Sequence, residues 1–235
     1  MLRIVSGRMG GGKSYYCVAE MLARARCEPN RYICTNFDLT DEGRERIGRH
    51  RLVELDHQQA KCWWQHTPQG ASIYVDEAQV NFDSRGWNET RKAHPEFASY
   101  LSHIRKYGDS VVLCTQEFKH IDTRLRELAG QFTYTVSLKA AMNALKLWPE
   151  GVPELFLVRH FLDENRVYSA GWKLAAFSMN VGKCYDSYAV STADGVERVQ
   201  LTKLDGEVEL PRASWGYAGW GLAACAAGAS AAWMW

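Results

Sequence analysis

The sequence has almost no net charge, because its 28 lysine and arginine residues and 27 acidic residues leave a formal charge of +1. A protein that binds nucleic acid through its overall charge needs a marked basic excess, so any DNA contact here has to be local. The sequence also lacks a C-x-x-C pair, since its seven cysteines are scattered singly along the chain. This excludes a zinc ribbon and argues against a disulfide scaffold, and we expect a reduced, cytosolic main body.

The first residues, MLRIVSGRMGG, do not contain the apolar stretch of a secretory signal, so we expect the N-terminus to stay in the cytoplasm. Before residue 215 there is neither an internal repeat nor a low-complexity segment. With 235 residues, 46% of them apolar and 23% charged, the chain has the size and composition of a globular domain with an appendage. We predict a domain over 1–175, an extension and linker over 176–213, and a membrane-spanning helix over 215–235.

The segment from residue 7 to residue 14 matches the pattern G-x-x-x-x-G-K-[ST] and lies between a β-prone run at 2–6 and a helical pattern at 15–26. Such a loop turns its backbone N–H groups towards phosphates, its lysine reaches the β- and γ-phosphates, and its hydroxyl residue is a ligand of Mg²⁺. The alternative, a flexible glycine turn that matches by chance, is expected in fewer than ~1% of such sequences. We therefore predict the phosphate-binding loop of an α/β P-loop NTPase. Its nucleotide-binding residues are Gly7, Arg8, Met9, Gly10, Gly11, Gly12, Lys13 and Ser14.

An apolar run at 71–75 leads directly into Asp76 and Glu77. A buried strand that ends in adjacent carboxylates is the usual partner of a phosphate-binding loop. Asp76, together with Ser14, would hold Mg²⁺, mostly through water, because this ion keeps part of its hydration shell. Glu77 would polarise the attacking water, and we predict Lys13, Glu77 and Gln116 as the catalytic residues. Taken alone, the pattern also fits a helix that begins with acidic residues, but the phosphate-binding loop upstream favours the catalytic interpretation.

Other polar residues are candidates for contact with the γ-phosphate. Gln116 follows a buried-looking strand at 110–115, and it either contacts the γ-phosphate or the attacking water or is simply a polar strand end. Arg105, Arg124 and Arg126 are candidate arginine fingers that would reach the nucleotide of a neighbouring subunit. For any one of the three arginines, a solvated surface role is an open alternative.

The remaining pattern is that of alternating strands and helices around a central, mostly parallel sheet. Asp56 is predicted to cap a helix, and the pair Trp63 and Trp64 favours packing over base stacking. Asp163, Glu164 and Asn165 form a turn, so the two segments beside it are predicted to form a hairpin that extends the sheet. The predicted strands are 31–35, 51–55, 110–115, 132–138, 154–161 and 166–174, with a weaker one at 196–201, and the predicted helices are 41–49, 56–65 and one that begins at Pro95 and ends before Gly108.

The last 21 residues, 215–235, contain no charge. As a helix they would span about 31 Å, roughly the thickness of the hydrocarbon layer of a membrane. Tryptophan and tyrosine cluster at both ends of the stretch, as in the aromatic belts of membrane helices. We predict a single-pass helix with the ATPase domain in the cytoplasm and the C-terminus on the far side. The alternative is an Ala/Gly-rich helix that packs on the soluble domain.

The order of these motifs resembles that of the Zot-like ATPase family, the inner-membrane assembly proteins of filamentous bacteriophages. The resemblance covers about residues 1 to 140, and the late hydrophobic segment fits it as well. A single motif of this kind is generic to P-loop ATPases, but the series in this order is more specific. The residues that carry it are MLRIVSGRMGGGKS at 1–14, TNFDL at 35–39, IYVDEAQ at 73–79, Phe82 with Arg85 and Trp87, HIRKYG at 103–108, VVLCTQ at 111–116, and Ile121 and Asp122 with Arg126.

The resemblance implies an FtsK/HerA-like motor of the ASCE class that binds ATP and Mg²⁺ and forms a homo-oligomer, such as a ring, at the host inner membrane. It implies that ATP drives extrusion of single-stranded phage DNA as coat protein replaces the DNA-binding protein. Lys13 and Ser14 would bind the nucleotide and Mg²⁺, Asp76 and Glu77 would form the Walker B pair, and Gln116 would sense the γ-phosphate. Family members usually continue into a periplasmic domain, whereas this chain stops at Trp235, which counts against contact with an outer-membrane channel.

Two other functions fit the sequence. One is a DNA-packaging ATPase of a membrane-containing phage, which shares the motor and the anchor and differs in the direction of DNA movement. The other is a nucleotide-gated scaffold that binds ATP at the membrane without turnover. The pair Asp76 and Glu77 argues against the scaffold, since a protein that only binds nucleotide has no use for a general base.

Overall fold

The computed structural model describes residues 1–83, 88–89, 92, 94–143, 148 and 152–186. These residues form an α/β fold around one sheet, which in its described part has eight strands in the order β3-β2-β4-β5-β1-β6-β7-β8. The strands are β1 (Leu2–Ser6), β2 (Ile33–Thr35), β3 (Leu52–Glu54), β4 (Ser72–Val75), β5 (Ser110–Thr115), β6 (Gln131–Ser137), β7 (Leu155–Phe161) and β8 (Ser169–Ala176).

The first six strands pair in parallel, and β7 and β8 continue the sheet in the antiparallel sense. The helices of the described part are α1 (Lys13–Cys27), α2 (Asp41–Ile47), α3 (His57–Lys61), α4 (Trp63–His66), α5 (Gln79–Phe82), α6 (Glu96–His103), α7 (Thr123–Leu128), α8 (Leu138–Asn143) and α9 (Met179–Gly182), with 3₁₀ turns at Arg49–Arg51 and Phe118–His120.

The hydrophobic core consists of two layers, one on each face of the sheet. Neighbouring residues of one strand point to opposite faces, so on β1 the side chain of Ile4 belongs to one layer and that of Val5 to the other. Helix α1 covers the face of Val5 through residues such as Met21, and Trp63 and Phe97 cover the face of Ile4. Because both faces are covered, the central strands β1, β4 and β5 are mostly apolar and buried along their length, with only Arg3 partly exposed.

Most of the predicted elements are confirmed, and the differences have local causes. The predicted helix 56–65 is two helices, because the backbone at Cys62 leaves the helical conformation (φ −127°, ψ 44°). Asp56 caps the first of them, as predicted, and its carboxylate and the Gln59 side chain form a reciprocal capping box. Trp63 is fully buried, which confirms packing over base stacking for that residue.

The predicted hairpin at 154–174 is confirmed as β7 and β8, but β8 begins at Ser169 rather than at 166. Arg166 has a positive φ of 62° and belongs to the turn. The carboxylate of Asp163 accepts hydrogen bonds from the backbone N–H groups of Val167 and Tyr168, at 3.2 and 2.7 Å. These N–H groups therefore serve the turn and not the strand.

Within the ranges that the structure describes, no helix has both the length and the hydropathy that crossing a bilayer requires. The predicted membrane helix at 215–235 and the weak strand at 196–201 lie outside those ranges, and so do Arg85 and Trp87 of the motif series. The described residues all belong to one compact unit, Met1–Ala193.

Candidate nucleotide-binding site

The glycine-rich loop connects β1 to α1, as the motif predicts, and its exposed crest is formed by residues 8–10. The N–H of Gly11 donates to the carbonyl of Arg8 at 2.8 Å and closes the loop. Gly12 has a left-handed backbone (φ 85°), and a Cβ at this position would overlap the ring of Phe156 on β7. Gly7 lies equally close to β6, since a Cβ there would be 2.5 Å from the carbonyl oxygen of Thr135. The two positions therefore require glycine.

Lys13 and Ser14 are the first residues of α1. The Lys13 side chain is largely buried, and its Nζ lies 3.4 Å from the carbonyl oxygen of Arg8, over the loop. The first turn of α1 contains no acidic residue, so no side chain there neutralises the positive end of the helix dipole. Loop amides, a helix N-terminus and an ammonium group together form a binding site for anionic oxygens such as those of a phosphate chain.

Asp76 follows the last residue of β4, and a neighbouring loop holds its backbone. The N–H of Asp76 donates to Oδ1 of Asn36 at 2.6 Å, and Nδ2 of Asn36 donates to the carbonyl of Asp76 at 3.3 Å. Oδ1 of Asp76 accepts the N–H of Glu77 at 2.9 Å. Burial, together with the charge of Glu77, raises the pKa of Asp76 to about 6, although the charge of Lys13 acts in the opposite direction. Lys13 is therefore close enough to Asp76 for their charges to interact.

Glu77 has a positive φ of 46°, a conformation that is uncommon for a residue other than glycine. Its side chain is exposed, and its carboxylate accepts a hydrogen bond from the amide of Gln79. Strained residues of this kind cluster at functional sites. The turn at Glu77 directs the chain away from the end of β4 and leaves the carboxylate accessible to solvent.

The strand order determines which of the predicted site residues meet. Strand β5 lies between β4 and β1, with Val75 paired to Leu113 and Ser6 paired to Thr115. In parallel strands the carboxyl ends lie at one edge of the sheet. The phosphate-binding loop after β1, Gln116 after β5 and the acidic pair after β4 are therefore side by side, with the half-buried Gln116 in the middle.

The three candidate arginine fingers lie in different environments. Arg126 donates to the carbonyl of Ile121 and to Thr123 Oγ1, both at 2.9 Å, and forms an ion pair with Glu164. Arg105 lies at the opposite edge of the sheet, where its charge contributes to lowering the pKa of the Met1 amino group, although burial lowers that pKa more. A role in trans is a prediction for all three.

Arg124 lies on the nucleotide edge. It is exposed at the start of α7, two residues after Asp122. The N–H of Asp122 donates to the carbonyl of Phe82 at 2.8 Å, and Phe82 ends the short helix that follows the acidic pair. Of the three arginines, Arg124 is the one with an exposed side chain on this edge.

The interpretation of the sequence did not assign a role to Asn36. The residue immediately follows β2, as Asp76 follows β4, and β2 pairs with β4 in parallel. The signal was thus present as a polar residue at a strand end. The sequence carries no comparable signal for Phe156 on β7 and Thr135 on β6, which contact the phosphate-binding loop. The antiparallel pairing of these two strands decides which of their residues face the loop.

Among the residues that the structure describes, no three His, Cys, Asp or Glu side chains converge on one point as metal ligands. The residues present still fit Mg²⁺ in the way expected of a nucleotide site, because this ion takes one or two protein oxygens and completes its shell with phosphate oxygens and water. The hydroxyl of Ser14 and the half-buried carboxylate of Asp76 would be the two protein oxygens that hold it.

Several solved structures, including the following two, are similar to the structure of this chain. The N-terminal domain of zonular occludens toxin from Neisseria meningitidis matches with 17% identity and a TM-score of 0.50, over 79% of this chain and 98% of that one. B204, the DNA-packaging ATPase from Sulfolobus turreted icosahedral virus, matches with 14% identity and a TM-score of 0.50, over 75% of this chain and 98% of that one. At such identities the two structures show a common fold.

No match was found among the curated proteins. A family model matches residues 1–144, which is more than half of the 235 residues and includes the loop, the acidic pair and Gln116. The model is that of zonular occludens toxin (Zot). The chain therefore belongs to the zonular occludens toxin (Zot) family.

Proposed function

We propose that this protein is a Mg²⁺-dependent ATPase, anchored in the host inner membrane, that powers the extrusion of single-stranded DNA during assembly of filamentous phage. One observation carries the proposal: the strand order β4-β5-β1 brings the acidic pair, Gln116 and the phosphate-binding loop to one edge of the sheet. An additional strand between the loop strand and the acidic strand is the arrangement expected of the FtsK/HerA-like (ASCE) class that the sequence resembles.

The loop and α1 would bind the triphosphate. The N–H groups of the loop and the N-terminus of α1 face the phosphate oxygens, and Lys13 neutralises charge on the β- and γ-phosphates. Mg²⁺ would be held by Ser14 and Asp76, and when bound it stabilises the negative charge that develops on the transferred phosphoryl group.

In this proposal, Glu77 and Gln116 would carry out the hydrolytic step. The exposed carboxylate of Glu77 accepts the proton of the attacking water, and Gln116, on the strand between, orients that water or contacts the γ-phosphate. The amide of Gln79 holds the Glu77 carboxylate, and Asn36 holds the backbone at Asp76. Both contacts reduce the freedom of the acidic pair, and fixed geometry is a large part of catalysis in phosphoryl transfer.

The activity is tested by steady-state ATP hydrolysis with the full chain in detergent, where oligomers and any arginine contributed in trans are retained. We expect Lys13→Ala and Glu77→Gln each to lower the rate by at least about 100-fold, because one loses phosphate binding and the other the general base. Glu127→Gln, at an exposed glutamate of α7, is the matched control and should leave the rate unchanged.

A rate that is unaltered in both variants would contradict the proposal. Hydrolysis by the wild type would exclude the nucleotide-gated scaffold. The scaffold is supported if the wild type shows no turnover but binds a fluorescent ATP analogue in a way that depends on Lys13.

Family membership supports export, whereas the similar structure described as a DNA-packaging ATPase raises packaging as the second candidate. In a phage that lacks the gene, loss of extruded particles supports export, and an accumulation of empty capsids supports packaging. Coat protein, single-stranded DNA with its binding protein, and further copies of this chain are the proposed partners.

A further inference from the structure

Strands β6, β7 and β8 present one sheet face on which side chains from three strands form rows. In the antiparallel register Tyr134 pairs with Arg159, and Arg159 pairs with Trp172. Residues that are directly opposite each other in neighbouring strands point to the same face and are in contact range. We call Tyr134, Arg159 and Trp172 the cross-strand row.

The cross-strand row alternates rings and cations and is open to solvent. Trp172 is 70% exposed and Arg159 is exposed as well. At the inner end of the row, the guanidinium of Arg166 lies 4.0 Å from the centre of the Tyr134 ring and is ion-paired with Glu117. The adjacent row on the same face, Val136, Leu157 and Leu174, provides an apolar floor in which Leu174 is 51% exposed.

The opposite face of the same strands is already occupied by α1. The Lys173 ammonium lies 4.8 Å from the centre of the Tyr16 ring, and Val158 is fully buried against that helix. The open face is therefore a feature of one side of the sheet, and it is not a consequence of a poorly packed hairpin.

The charge of the open face is positive. The 22 residues of β6, β7 and β8 contain no aspartate or glutamate, and Arg159 supplies their cation on this face, because Lys173 lies on the side of α1. Glu117 pairs with Arg166 at 2.5 Å, and this pair adds no net charge to the face. The other described carboxylates nearby have partners away from the row: Glu164 pairs with Arg126, Glu154 accepts from Ser137 Oγ at 2.6 Å, and Asp163 accepts two backbone N–H groups of the hairpin turn.

We propose that this face binds single-stranded nucleic acid. An exposed ring beside an exposed cation is the combination that such strands require, because a base stacks on the ring while a phosphate contacts the cation. A base would stack on Trp172, and the adjacent phosphate would contact Arg159. The biological role of this contact rests on the proposed function, in which single-stranded DNA is the cargo, but the contact itself does not need ATP hydrolysis.

The proposal is tested by fluorescence anisotropy with a labelled 20-nucleotide oligo(dT) and the full chain in detergent, without nucleotide. We expect Trp172→Ala to weaken binding about tenfold and Trp172→Phe, which keeps a ring, to restore most of the loss. Arg159→Gln removes one phosphate contact, so the slope of log K against log salt should fall by about 0.7. Lys106→Gln and Tyr107→Ala, at an exposed cation and an exposed ring after α6, are the matched controls and should not change binding.

Several outcomes overturn the proposal. Equal binding of a duplex of the same length excludes stacking, and equal loss in the variants after α6 excludes a specific face. If no oligonucleotide binds and the Trp172 and Arg159 variants instead prevent association with coat protein in vesicles, the face is a protein interface. If ATP hydrolysis is normal and the Trp172 and Arg159 variants bind the oligonucleotide like the wild type, this inference is wrong and the proposed ATPase activity stands. If the variants lose binding but the wild type does not hydrolyse ATP, the proposed ATPase activity is wrong and this inference stands.

Discussion

At the residue scale, Glu20 on α1 is a largely buried carboxylate outside the candidate site with three side-chain partners. Its carboxylate pairs with Arg3 on β1, accepts from Arg24 at 3.1 Å, and accepts the hydroxyl of Tyr74 on β4 at 3.1 Å. The side chains of Arg3 and Glu20 are only 11% and 16% exposed. This network joins the helix of the phosphate-binding loop to the two strands that end in the loop and in the acidic pair.

The first prediction concerns the pH dependence of this network. Burial alone would raise the pKa of Glu20, but Arg3 and Arg24 more than offset it, so the pKa lies below its ordinary value of 4.5. A lowered folded-state pKa contributes stability that is present above the unfolded pKa and is lost as the pH falls through the folded one. We expect Glu20→Gln to cost about 3 kcal/mol at pH 7, because it leaves Arg3 buried without its counter-charge, and to cost less as the pH falls below 4.5.

Urea unfolding followed by circular dichroism at a series of pH values measures this difference. Glu45→Gln is the control, since Glu45 is 71% exposed and its nearest cation is 3.8 Å away, and its cost should be near zero at every pH. A Glu20→Gln cost that does not depend on pH would contradict the role assigned to the ion pair.

At the scale of elements, the phosphate-binding loop depends on two different constraints at its glycines. Gly12 combines a positive φ of 85° with a position against the Phe156 ring, whereas Gly10, on the crest of the same loop, has a positive φ of 70° and open space around it. The loop is therefore tightly packed on the side of β6 and β7 and free on the crest.

We expect Gly12→Ala to abolish binding of a fluorescent ATP analogue, because the methyl group displaces either the loop or Phe156. Gly10→Ala should weaken binding by less, since it adds backbone strain of about 1–2 kcal/mol without a clash. Gly70→Ala, at a turn with a φ of 78° and nothing within 4 Å, is the control for strain outside the loop. Similar losses for Gly12→Ala and Gly10→Ala would show that the packing against β7 has no part in the loop geometry.

The elements also show where interpretation of the sequence succeeds. The buried strands β1, β4 and β5 were predicted within one residue of their ends, because each is a short apolar run bounded by glycine or by polar residues. The predicted bounds of β8 and of the helix 56–65 were less accurate. Before β8 the Asp163 side chain takes two backbone N–H groups, and in the helix 56–65 the backbone bends at Cys62. Such local choices are small in energy, so they depend on tertiary context.

At the scale of the whole molecule, the chain combines a nucleotide-binding domain with the charge-free segment 215–235. The proposed function needs that segment to anchor the domain in the inner membrane. The segment is rich in alanine and glycine, so its hydrophobicity as an isolated span is low, and one charge at its centre should suffice to prevent insertion.

We expect the full chain to remain with membranes after a carbonate wash and Ala224→Arg to be released, because arginine at the centre of a span costs about 2.5–3.5 kcal/mol. Ala224→Leu, which raises the hydrophobicity at the same position, should stay in the membrane fraction. Release of the wild-type chain by carbonate would contradict the anchor and support the alternative of a helix that packs on the soluble domain.

The sequence by itself determined the phosphate-binding loop, the acidic pair and the positions of the central strands, because each of these is local: a few residues of the right type at a fixed spacing suffice. Tertiary structure alone decided which side chains from distant segments meet. The position of Gln116 between Asp76 and Lys13, the hold of Asn36 on Asp76, and the row of Tyr134, Arg159 and Trp172 all follow from strand order and register. Order and register depend on the packing of the whole sheet, and a one-residue shift in register would move every side chain of a strand to the other face.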